Sequence, residues 1–537
     1  MKKRIITVGL LILVLLFSSC NKIEHSKNDN PVLEENVVEI SLSDEEIKTD
    51  GEAVSRDVAE DIYIGNDIVY YEVGKDFTYG EGTEKDTHTE EEAAEHRVLH
   101  ITKAGTYRLS GKLSKGQIAV DLGNDAKTDP KAVVTLILNG VDITCDVAPA
   151  VIFYNVYECG TVDTDTATKD VDTSSAGANV IISDDTQNKV QGSYVARIYN
   201  PDSVILNEDK TEVEDAKKLH KYDGAFYSRM SMNIDGEEKG TGTLDIYAEN
   251  EGMDSELHLT VNGGNINIYS GNDGINTNED GVSVTTVNGG VLNIQVTGET
   301  GEGDGIDSNG WLVINGGSVT ASACSNSADA GIDSDMGIHL NGGYVIASGH
   351  MLDRIEDGGQ TYAVFNFAQK QDGEESVTLR KKEDQILMHH IPKNDYSVLV
   401  FSSPDLIEYT YSLWVNDEQM EGQSGGMGSG FGMPGGMRPD GEMPGGMQPG
   451  EMPERFPGGM PDGEMPEEFP GGMPDGEMPE GFSGEMPEGF PGGEFPQNRP
   501  EMQKGENRPF DSKGPVAEER LTEFKITDGA NIFSNIS

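Results

Sequence analysis

The chain has 537 residues, of which 25% are charged and 35% are hydrophobic, and its formal net charge is -56 from 95 acidic and 39 basic side chains. This balance argues against binding to nucleic acid or to an anionic membrane surface, because both need clustered Lys and Arg. It suits a soluble extracellular protein, a cation-binding protein, or both.

The first twenty residues, MKKRIITVGLLILVLLFSSC, combine a basic head, an apolar run and small residues before Cys20. The apolar run is too short for a comfortable membrane span and predicts an export signal. With FSSC at its end, the segment resembles a bacterial lipoprotein signal peptide over residues 1–20, which implies a lipid anchor on Cys20. Ordinary signal cleavage that leaves a free cysteine is the alternative. We therefore expect a lipid-anchored protein on the extracellular face of the cell membrane.

Residues 21–60 are acidic and polar with few aromatic side chains, and they predict a disordered linker. Residues 61–418 contain the remaining three cysteines, Cys145, Cys159 and Cys324. An odd number argues against a disulfide framework. A bridge between Cys145 and Cys159 and a set of three separate buried thiols both remain open.

The folded region contains a repeat. Its four-residue turn recurs as VNGG at 261–264, VNGG at 287–290, INGG at 314–317 and LNGG at 340–343, with the asparagines 26, 27 and 26 residues apart. Apolar residues alternate on both sides of each turn, as in strands with one buried face. Thr285 is the exception among them and predicts a bulge or register shift.

A third element lies between successive turns. It begins at a glycine in each repeat and is Gly252-Met253-Asp254-Ser255, Gly274-Ile275-Asn276-Thr277, Gly305-Ile306-Asp307-Ser308 and Gly331-Ile332-Asp333-Ser334. Each unit therefore has three short strands in about 22–27 residues, and stacked units would form a continuous core. The sequence predicts an all-β fold, a right-handed parallel β-helix. A sandwich of antiparallel hairpins is the alternative, but identical turns at a fixed period favour stacking.

Two segments follow the repeat. Residues 419–515 are rich in Gly, Met, Pro and Glu without a periodic apolar face, and they predict disorder. Residues 516–537 alternate like a strand and are expected to pack on the β-helix as its last strand.

The third elements predict a cation site. Acidic and amide residues one before, two after and four after the glycine would form outward columns about 4.8 Å apart from coil to coil. The residues concerned are Glu251, Asp254, Glu256, Asp273, Asn276, Asn278, Asp304, Asp307, Asp333 and Asp335. Two carboxylates at that distance repel by about 1 kcal/mol in water and about 3 kcal/mol at an effective dielectric near 20.

Oxygen-only ligands of this kind are those that Ca²⁺ prefers, whereas zinc needs His and Cys sets that the repeat does not offer. We therefore expect bound Ca²⁺, with solvated polar turns as the alternative. An EF-hand is rejected, although Asn276-x-Asn278-x-Asp280-Gly281 matches the start of its loop. Position 12 is Val287, where a bidentate Glu is needed.

The repeat offers little for catalysis. No lysine or arginine occurs from Gly240 to Asp353, so a β-elimination on a uronate would lack its base there. Glycoside hydrolysis needs only two suitably spaced carboxylates, which the columns could supply, but no isolated pair stands out. We expect no enzymatic activity, with a pectin lyase or hydrolase as the alternative.

Sugar binding usually needs aromatic faces beside planar polar groups. Tyr247 and Tyr269 occupy the same outward repeat position, and Asn267 lies beside them. Trp311 precedes a strand in a later coil. These four residues form the predicted carbohydrate platform, with solvent-tolerant β-forming residues as the alternative.

Together, the NGG turns, the Gly-Ile-Asp-Ser elements and the exported acidic N-terminus resemble a bacterial family of carbohydrate-binding domains, which are cell-surface β-helices shaped like pectate lyases. The resemblance covers about residues 95–418 and 516–537. It implies Ca²⁺ in the fold and non-catalytic binding of plant cell-wall polysaccharide, including cellulose and acidic pectic chains. We expect a monomer, and a surface adhesin without sugar specificity is the further alternative.

Overall fold

The structure is a computed structural model that describes residues 37–381, 385–425 and 520–537. The signal peptide, Cys20 and residues 426–515 of the low-complexity segment lie outside the described residues. The described part is all-β, as predicted, with one α-helix at Glu90–Ala94 and short 3-10 turns at Asn124–Thr128 and Pro201–Ser203. None of its helices is long and apolar enough to cross a membrane.

The first series of strands contains those that precede the NGG turns, and its neighbours pair in parallel. Its members are Gly105–Leu113, Val134–Cys145, Ala178–Ile182, Met232–Gly236, His258–Val261, Val284–Val287, Trp311–Ile314 and Gly337–Leu340.

The second series contains the strands that follow the turns, and these also pair in parallel. Its members are Gln187–Gly192, Thr243–Ala248, Asn265–Ser270, Val291–Val296, Ser318–Ser322 and Tyr344–Gly349. The third series includes the glycine-led elements and earlier strands that pair with them in parallel, with Ile62–Gly65 added antiparallel at its start. Its members are Ile62–Gly65, Arg97–Ile101, Gly116–Asp121, Val151–Asn155, Gly224–Ser228, Glu251–Ser255 and Ile275–Thr277, which a bridge to Ile306 extends.

Antiparallel pairs occur at both ends, so the sheets are mixed, and within the described residues none closes on itself. At the start lie Val37–Leu42, Lys48–Thr49 and Glu52–Ala53. At the end lie Tyr362–Gln371, Tyr396–Ser402, Gln423–Ser424 and Ala530–Ile536, with a second sheet of Val377–Lys381, Ile386–His390, Tyr409–Val415, Glu418–Gln419 and Phe524–Ile526. The last strand of the chain pairs in parallel with Tyr362–Gln371.

The register of the parallel pairs follows the sequence repeat. Thr243 faces Asn265, Asn265 faces Val291, and Val291 faces Ser318. Equivalent side chains therefore stack in columns, and the apolar columns fill the interior. The glycine-led elements contribute Met253, Ile275, Ile306 and Ile332 to this core, each at most 2% exposed.

The bulge predicted at Thr285 is wrong. Thr285 faces Leu259 and Leu312 without a shift in register. Its buried hydroxyl lies 3.1 Å from that of Thr277, which also lies 2.8 Å from the Ser308 hydroxyl. A buried hydroxyl with such a partner is tolerated in a core, so the strand keeps its register.

The glycines that lead the third elements are required by close packing between coils. A Cβ on Gly274 would lie 2.5 Å from the carbonyl oxygen of Gly305, and one on Gly252 would lie equally close to that of Gly274. Any larger residue would therefore push neighbouring coils apart.

The disordered linker predicted over residues 21–60 is wrong for its second part. Val37–Leu42 pairs in parallel with Gly105–Leu113, and Ile40 and Leu42 are buried. Ile47 is also buried, so the strand covers the first coil with apolar side chains. The acidic composition of this segment favoured a prediction of disorder, although Ile40, Leu42 and Ile47 have the spacing of a short strand and its turn.

The three cysteines of the described residues are free, with Cys145 and Cys324 buried and Cys159 half-buried. Two antiparallel hairpins follow the early coils, Val195–Tyr199 with Lys218–Tyr222 and Ile205–Leu206 with Val213–Asp215. The first of them brings Lys221 next to the coil edge described below.

Candidate functional site

The outward polar residues of the glycine-led elements form one edge, which we call the acidic edge. Tyr227, Asp254 and Asn276 lie in one register column, and Gly224 and Glu251 lie in the neighbouring column. The predicted columns of carboxylates and amides are therefore placed side by side by the parallel pairing. The negative charges of these columns need compensation.

A compact carboxylate cluster lies at the start of the acidic edge. One carboxylate oxygen from each of Asp223, Glu251 and Asp254 lies within 4.8 Å of the others. Their residues are 6%, 5% and 0% exposed. Burial of three acids at this separation is unfavourable unless a cation or protons compensate them.

Several oxygens of this cluster lack partners. The Oε2 atom of Glu251, the Oδ2 atom of Asp254 and the Oδ1 atom of Asn276 are buried without a hydrogen-bond donor. Asn276 donates from Nδ2 to Glu251 Oε1 at 3.1 Å, so its carbonyl oxygen is the atom left over. Buried acceptors are rarely left unpaired, and a group of them favours a cation ligand set.

Among the described residues, Lys221 is the basic side chain that forms an ion pair with this cluster. Its Nζ atom lies 2.5 Å from Asp223 Oδ2. Burial opposes its charge, but the attraction of Asp223 prevails and holds the pKa of Lys221 above its usual value. Three carboxylates and one ammonium leave two negative charges, which one divalent cation would balance.

The pKa values of the cluster are shifted by the same burial and repulsion between carboxylates. Burial and the neighbouring charges of Asp254 and Asp223 raise the pKa of Glu251 well above its usual value. Burial and the charge of Asp223 do the same for the pKa of Asp254. In the absence of a cation, burial and mutual repulsion therefore disfavour the charged forms of both groups.

The acidic edge continues along the following coils. Burial, followed by repulsion between neighbouring carboxylates, raises the pKa of Asp273 to about 7, of Asp304 to about 9, of Asp307 to about 6 and of Asp333 to about 8. Backbone amides offset part of this unfavourable burial and repulsion, since the Asp304 N–H donates to Asp273 Oδ1 at 2.6 Å. The Ala330 N–H donates to Asp304 Oδ1 at 2.5 Å.

Three other predicted ligands are not part of the buried carboxylate cluster, although one of them contacts it. Glu256 pairs with Lys218 at 2.8 Å and accepts from the Tyr227 hydroxyl at 2.7 Å. Asn278 donates to Asp254 Oδ1 at 2.6 Å, which orients that carboxylate. Asp335 is exposed at the outer margin of the edge.

Asp223, Lys221 and Asp353 were not predicted from the sequence. Gly224 faces Glu251, so the DGAFYS segment carries one residue more than the later elements before its serine. Simple alignment to the glycine therefore misplaces Asp223. Asp353 accepts from the Ser334 N–H at 3.1 Å, but it follows the last repeat and had no repeat partner to indicate it.

A second candidate site, the tyrosine face, lies on the second strand series. Tyr247 and Tyr269 face each other with ring centroids 5.0 Å apart and an interplanar angle of 12°. Tyr247 is 39% exposed, and the Lys189 ammonium lies 5.3 Å from the centroid of its ring. Beside the rings, Asn267 donates to Asp245 at 2.7 Å, and Asn293 donates to Asn267 at 3.0 Å. The face thus combines aromatic surface with a row of amides and one lysine.

Trp311 does not belong to the tyrosine face. It lies in the first strand series between Val284 and Gly337, around the corner from both tyrosines. The sequence predicted that Trp311 precedes a strand, whereas it is the first residue of Trp311–Ile314, and its offset from the NGG turn differs from that of the tyrosines. Trp311 is partly buried on its own outward face.

Comparison with known proteins gives two matches. A family model described as "Carbohydrate-binding domain-containing protein" matches residues 95–357. Among solved structures, the polysaccharide lyase-like protein from C. thermocellum, determined as a gadolinium derivative, is similar with a TM-score of 0.30 and 17% sequence identity, over 60% of this chain and 95% of that chain. No curated protein matched the chain.

Proposed function

We propose that this chain is a non-catalytic carbohydrate-binding protein of the cell surface, anchored by lipid on Cys20 and stabilised by Ca²⁺. Its ligand is plant-type polysaccharide, either cellulose or acidic pectic chains. The family model over residues 95–357 supports the carbohydrate-binding part of the proposal. The anchor rests on the sequence of the first twenty residues alone.

The architecture proposed for the coils is a right-handed parallel β-helix. Parallel pairing between residues one repeat apart supports it, as for Asn265 with Val291 and Ile275 with Ile306. Stacked apolar columns in the interior support it as well. In this architecture the acidic edge and the tyrosine face are separate surfaces of the same coils.

Ca²⁺ is proposed at the cluster of Asp223, Glu251 and Asp254. The donor set fits this ion, because it is made of oxygen atoms alone and includes the unpartnered Oδ1 of Asn276. When bound, the ion would hold the carboxylates ionised and offset their mutual repulsion. Its role here is structural, since it would bind neighbouring coils to one another.

The tyrosine face is the proposed polysaccharide surface, and the stacked pair of Tyr247 and Tyr269 is the observation that carries this proposal. Partly exposed rings offer apolar surface to the C–H face of a sugar. The adjoining Asn267 and Asn293 side chains offer amide donors and acceptors. Lys189 adds a positive charge that would attract the carboxylate of an acidic sugar.

Retention on insoluble cellulose and on immobilised polygalacturonate, with Ca²⁺ and with excess EGTA, tests this function. We expect the double variant Tyr247→Ala/Tyr269→Ala to lose retention on at least one of the two. A parent protein that binds neither would contradict the proposal. A glycan array with Ca²⁺ separates a sugar-binding protein from a surface adhesin, which would give no signal.

Lyase activity is the second candidate, because Lys221 reaches the carboxylate cluster from the hairpin. A lysine that abstracts a proton must be neutral, and Asp223 favours the charged form of Lys221. The contact thus argues for a structural ion pair. Unsaturated products from polygalacturonate with Ca²⁺ present would establish the lyase instead.

A further inference from the structure

A loop crosses the outward face of the first strand series. We call residues 157–177 the strap. It starts close to the sheet, because a Cβ on Gly160 would lie 2.4 Å from His258 Nε2. It is fastened again where the Thr173 hydroxyl donates to Thr260 at 2.8 Å and Asn233 donates to the Thr173 carbonyl at 2.8 Å. Between these points the strap lies over the coils without forming a strand.

The strap and the sheet enclose a groove of about 610 Å³. Residues 169–174 of the strap form one wall, and Thr286 and Val313 belong to the floor. The fastening at Thr173 closes the end of the groove near Thr260. The volume falls in the range of about 300–1,000 Å³ typical of ligand pockets.

The opposite margin of the groove is formed by the asparagines of the NGG turns, which we call the asparagine ladder. Asn341 donates to Asn315 at 2.8 Å, Asn315 to Asn288 at 2.9 Å, and Asn288 to Asn262 at 2.9 Å. Asn262 donates to Asp235 at 3.4 Å. All four asparagines are exposed. Each rung therefore keeps one N–H and one carbonyl lone pair free for a ligand.

The spacing of these free groups restricts the ligand. Rungs of a parallel ladder recur about every 4.8 Å, so four rungs span roughly 14 Å. Side chains on one face of an extended peptide recur at about 6.6–6.8 Å and would lose register. A linear sugar chain carries hydroxyl groups on every ring, and each of them can both donate to and accept from the free groups of the rungs.

The groove also selects on charge. Asp170, Asp172 and Asp235 line or border it, and its one lysine, Lys169, already pairs with Asp170 at 2.5 Å. His339 lies on the same outward row as Val313. Burial and the charge of Lys169 lower the pKa of His339, which disfavours its charged form. A polyuronate would be repelled here, whereas an uncharged glycan would not.

Trp311 supplies an aromatic surface on this side of the molecule. It stands two residues before Val313 on the same strand, so both side chains point to the same outward face. Trp311 does not line the groove itself but lies next to Val313, which does.

We propose that the groove between the strap and the asparagine ladder binds one extended segment of an uncharged linear polysaccharide. This site shares its ligand class with the proposed function but none of its residues. It gives the protein a second surface, selective for neutral chains, around the corner from the tyrosine face.

Tryptophan fluorescence and calorimetry test the proposal. The chain has two tryptophans, Trp311 and Trp414, so Trp414→Phe leaves Trp311 as the single reporter. Titration of this full-length variant with cello-oligosaccharide, with Ca²⁺ present, should change the Trp311 emission, and oligogalacturonate should not. Calorimetry should show binding about tenfold weaker for the double variant Asn288→Ala/Asn315→Ala. Asn66→Ala, at an exposed asparagine outside both proposed binding surfaces, is the matched control and should leave this affinity unchanged.

The outcomes separate the two sites. An unchanged Trp311 emission, a stronger response to oligogalacturonate, or a ladder variant that melts like the parent and binds like it would each overturn the groove. If retention then still depends on Tyr247 and Tyr269, the proposed function stands without the groove. Binding that depends on the ladder and not on the tyrosines supports the groove and contradicts the tyrosine face.

Discussion

Asn276 donates its amide to Glu251 across 3.1 Å while its own carbonyl oxygen remains buried without a donor. The Asn276 amide thus gives one hydrogen bond to Glu251, while its carbonyl oxygen lies among other acceptors and has no donor of its own. Beside it lie the unpartnered oxygens of Glu251 and Asp254. The arrangement is costly for the protein alone and favourable once a cation is bound.

Removal of Ca²⁺ should therefore lower the stability of the fold. A ligand at 100 times its Kd stabilises the native state by about 2.7 kcal/mol, so excess EGTA should lower Tm by several degrees. Differential scanning calorimetry with and without EGTA measures this shift. Equal Tm values in both conditions would mean that no ion stabilises the acidic edge.

Glu251→Gln should weaken the response to Ca²⁺ while stabilising the metal-free protein. The amide removes one buried charge that Asp254 and Asp223 repel. We expect a higher Tm than the parent in EGTA and a smaller rise on adding Ca²⁺. Glu238→Gln, at an exposed acid away from the cluster, is the matched control and should behave as the parent does.

The metal-free protein should lose stability as the pH rises. Asp307, Asp273, Asp333 and Asp304 have folded pKa values of about 6, 7, 8 and 9. Their pKa values in the unfolded state lie near 3.9, so at pH values between the unfolded and folded pKa the native state binds more protons than the unfolded state. The free energy of unfolding therefore decreases as the pH rises. The contribution is fully present below about pH 4 and is lost as the pH rises through about 6 to 9.

Thermal unfolding of protein dialysed free of metal, at several pH values from about 5 to about 9, measures this dependence. Saturating Ca²⁺ should flatten it, because the bound ion keeps the carboxylates ionised. A metal-free stability that rises over this range would show that the acidic edge is solvated.

Gly274→Ala should destabilise the fold. Its Cβ would lie 2.2 Å from Ile294 Cγ2 and 2.5 Å from the Gly305 carbonyl oxygen. Overpacking of this kind costs about 1–3 kcal/mol, and here backbone must move. Chemical denaturation measures the loss. Gly105→Ala, where the nearest atom would lie at 3.4 Å, is the control and should change the free energy of unfolding little.

Tyr247→Ala should reduce retention on polysaccharide. Loss of an aromatic contact of about 0.5–1.5 kcal/mol corresponds to a several-fold weaker affinity. Tyr409→Ala is the matched control, because Tyr409 is also 39% exposed but lies in the sheet at the far end of the chain. Equal losses for the two variants would contradict a site on the tyrosine face.

Regular stacking made much of the fold predictable. Met253, Ile275, Ile306 and Ile332 are buried as the repeat indicates, and the all-β class follows from their alternation with polar residues. The start of the fold was not predictable in this way, because Val37–Leu42 pairs with a strand outside the repeat.

The sites were predictable only where they repeat. Glu251 and Asp254 stand at repeat positions, whereas Asp223 and Lys221 reach the cluster through an extra residue and a hairpin. The groove could not be predicted from the sequence, because the strap forms one of its walls and no local pattern indicates that the strap crosses His258 and Thr260. Long-range contacts between irregular segments carry no periodic signal.

The asparagine ladder has a fixed direction. A carboxylate can only accept, so Asp235 at its first rung turns every following amide the same way. The interior rungs are chemically identical, which makes one coil exchangeable for another. Insertion or deletion of a whole coil would lengthen or shorten the row of contacts in steps of about 4.8 Å without breaking it. In the proposed groove, the number of repeats would therefore set the length of the glycan segment that the ladder contacts.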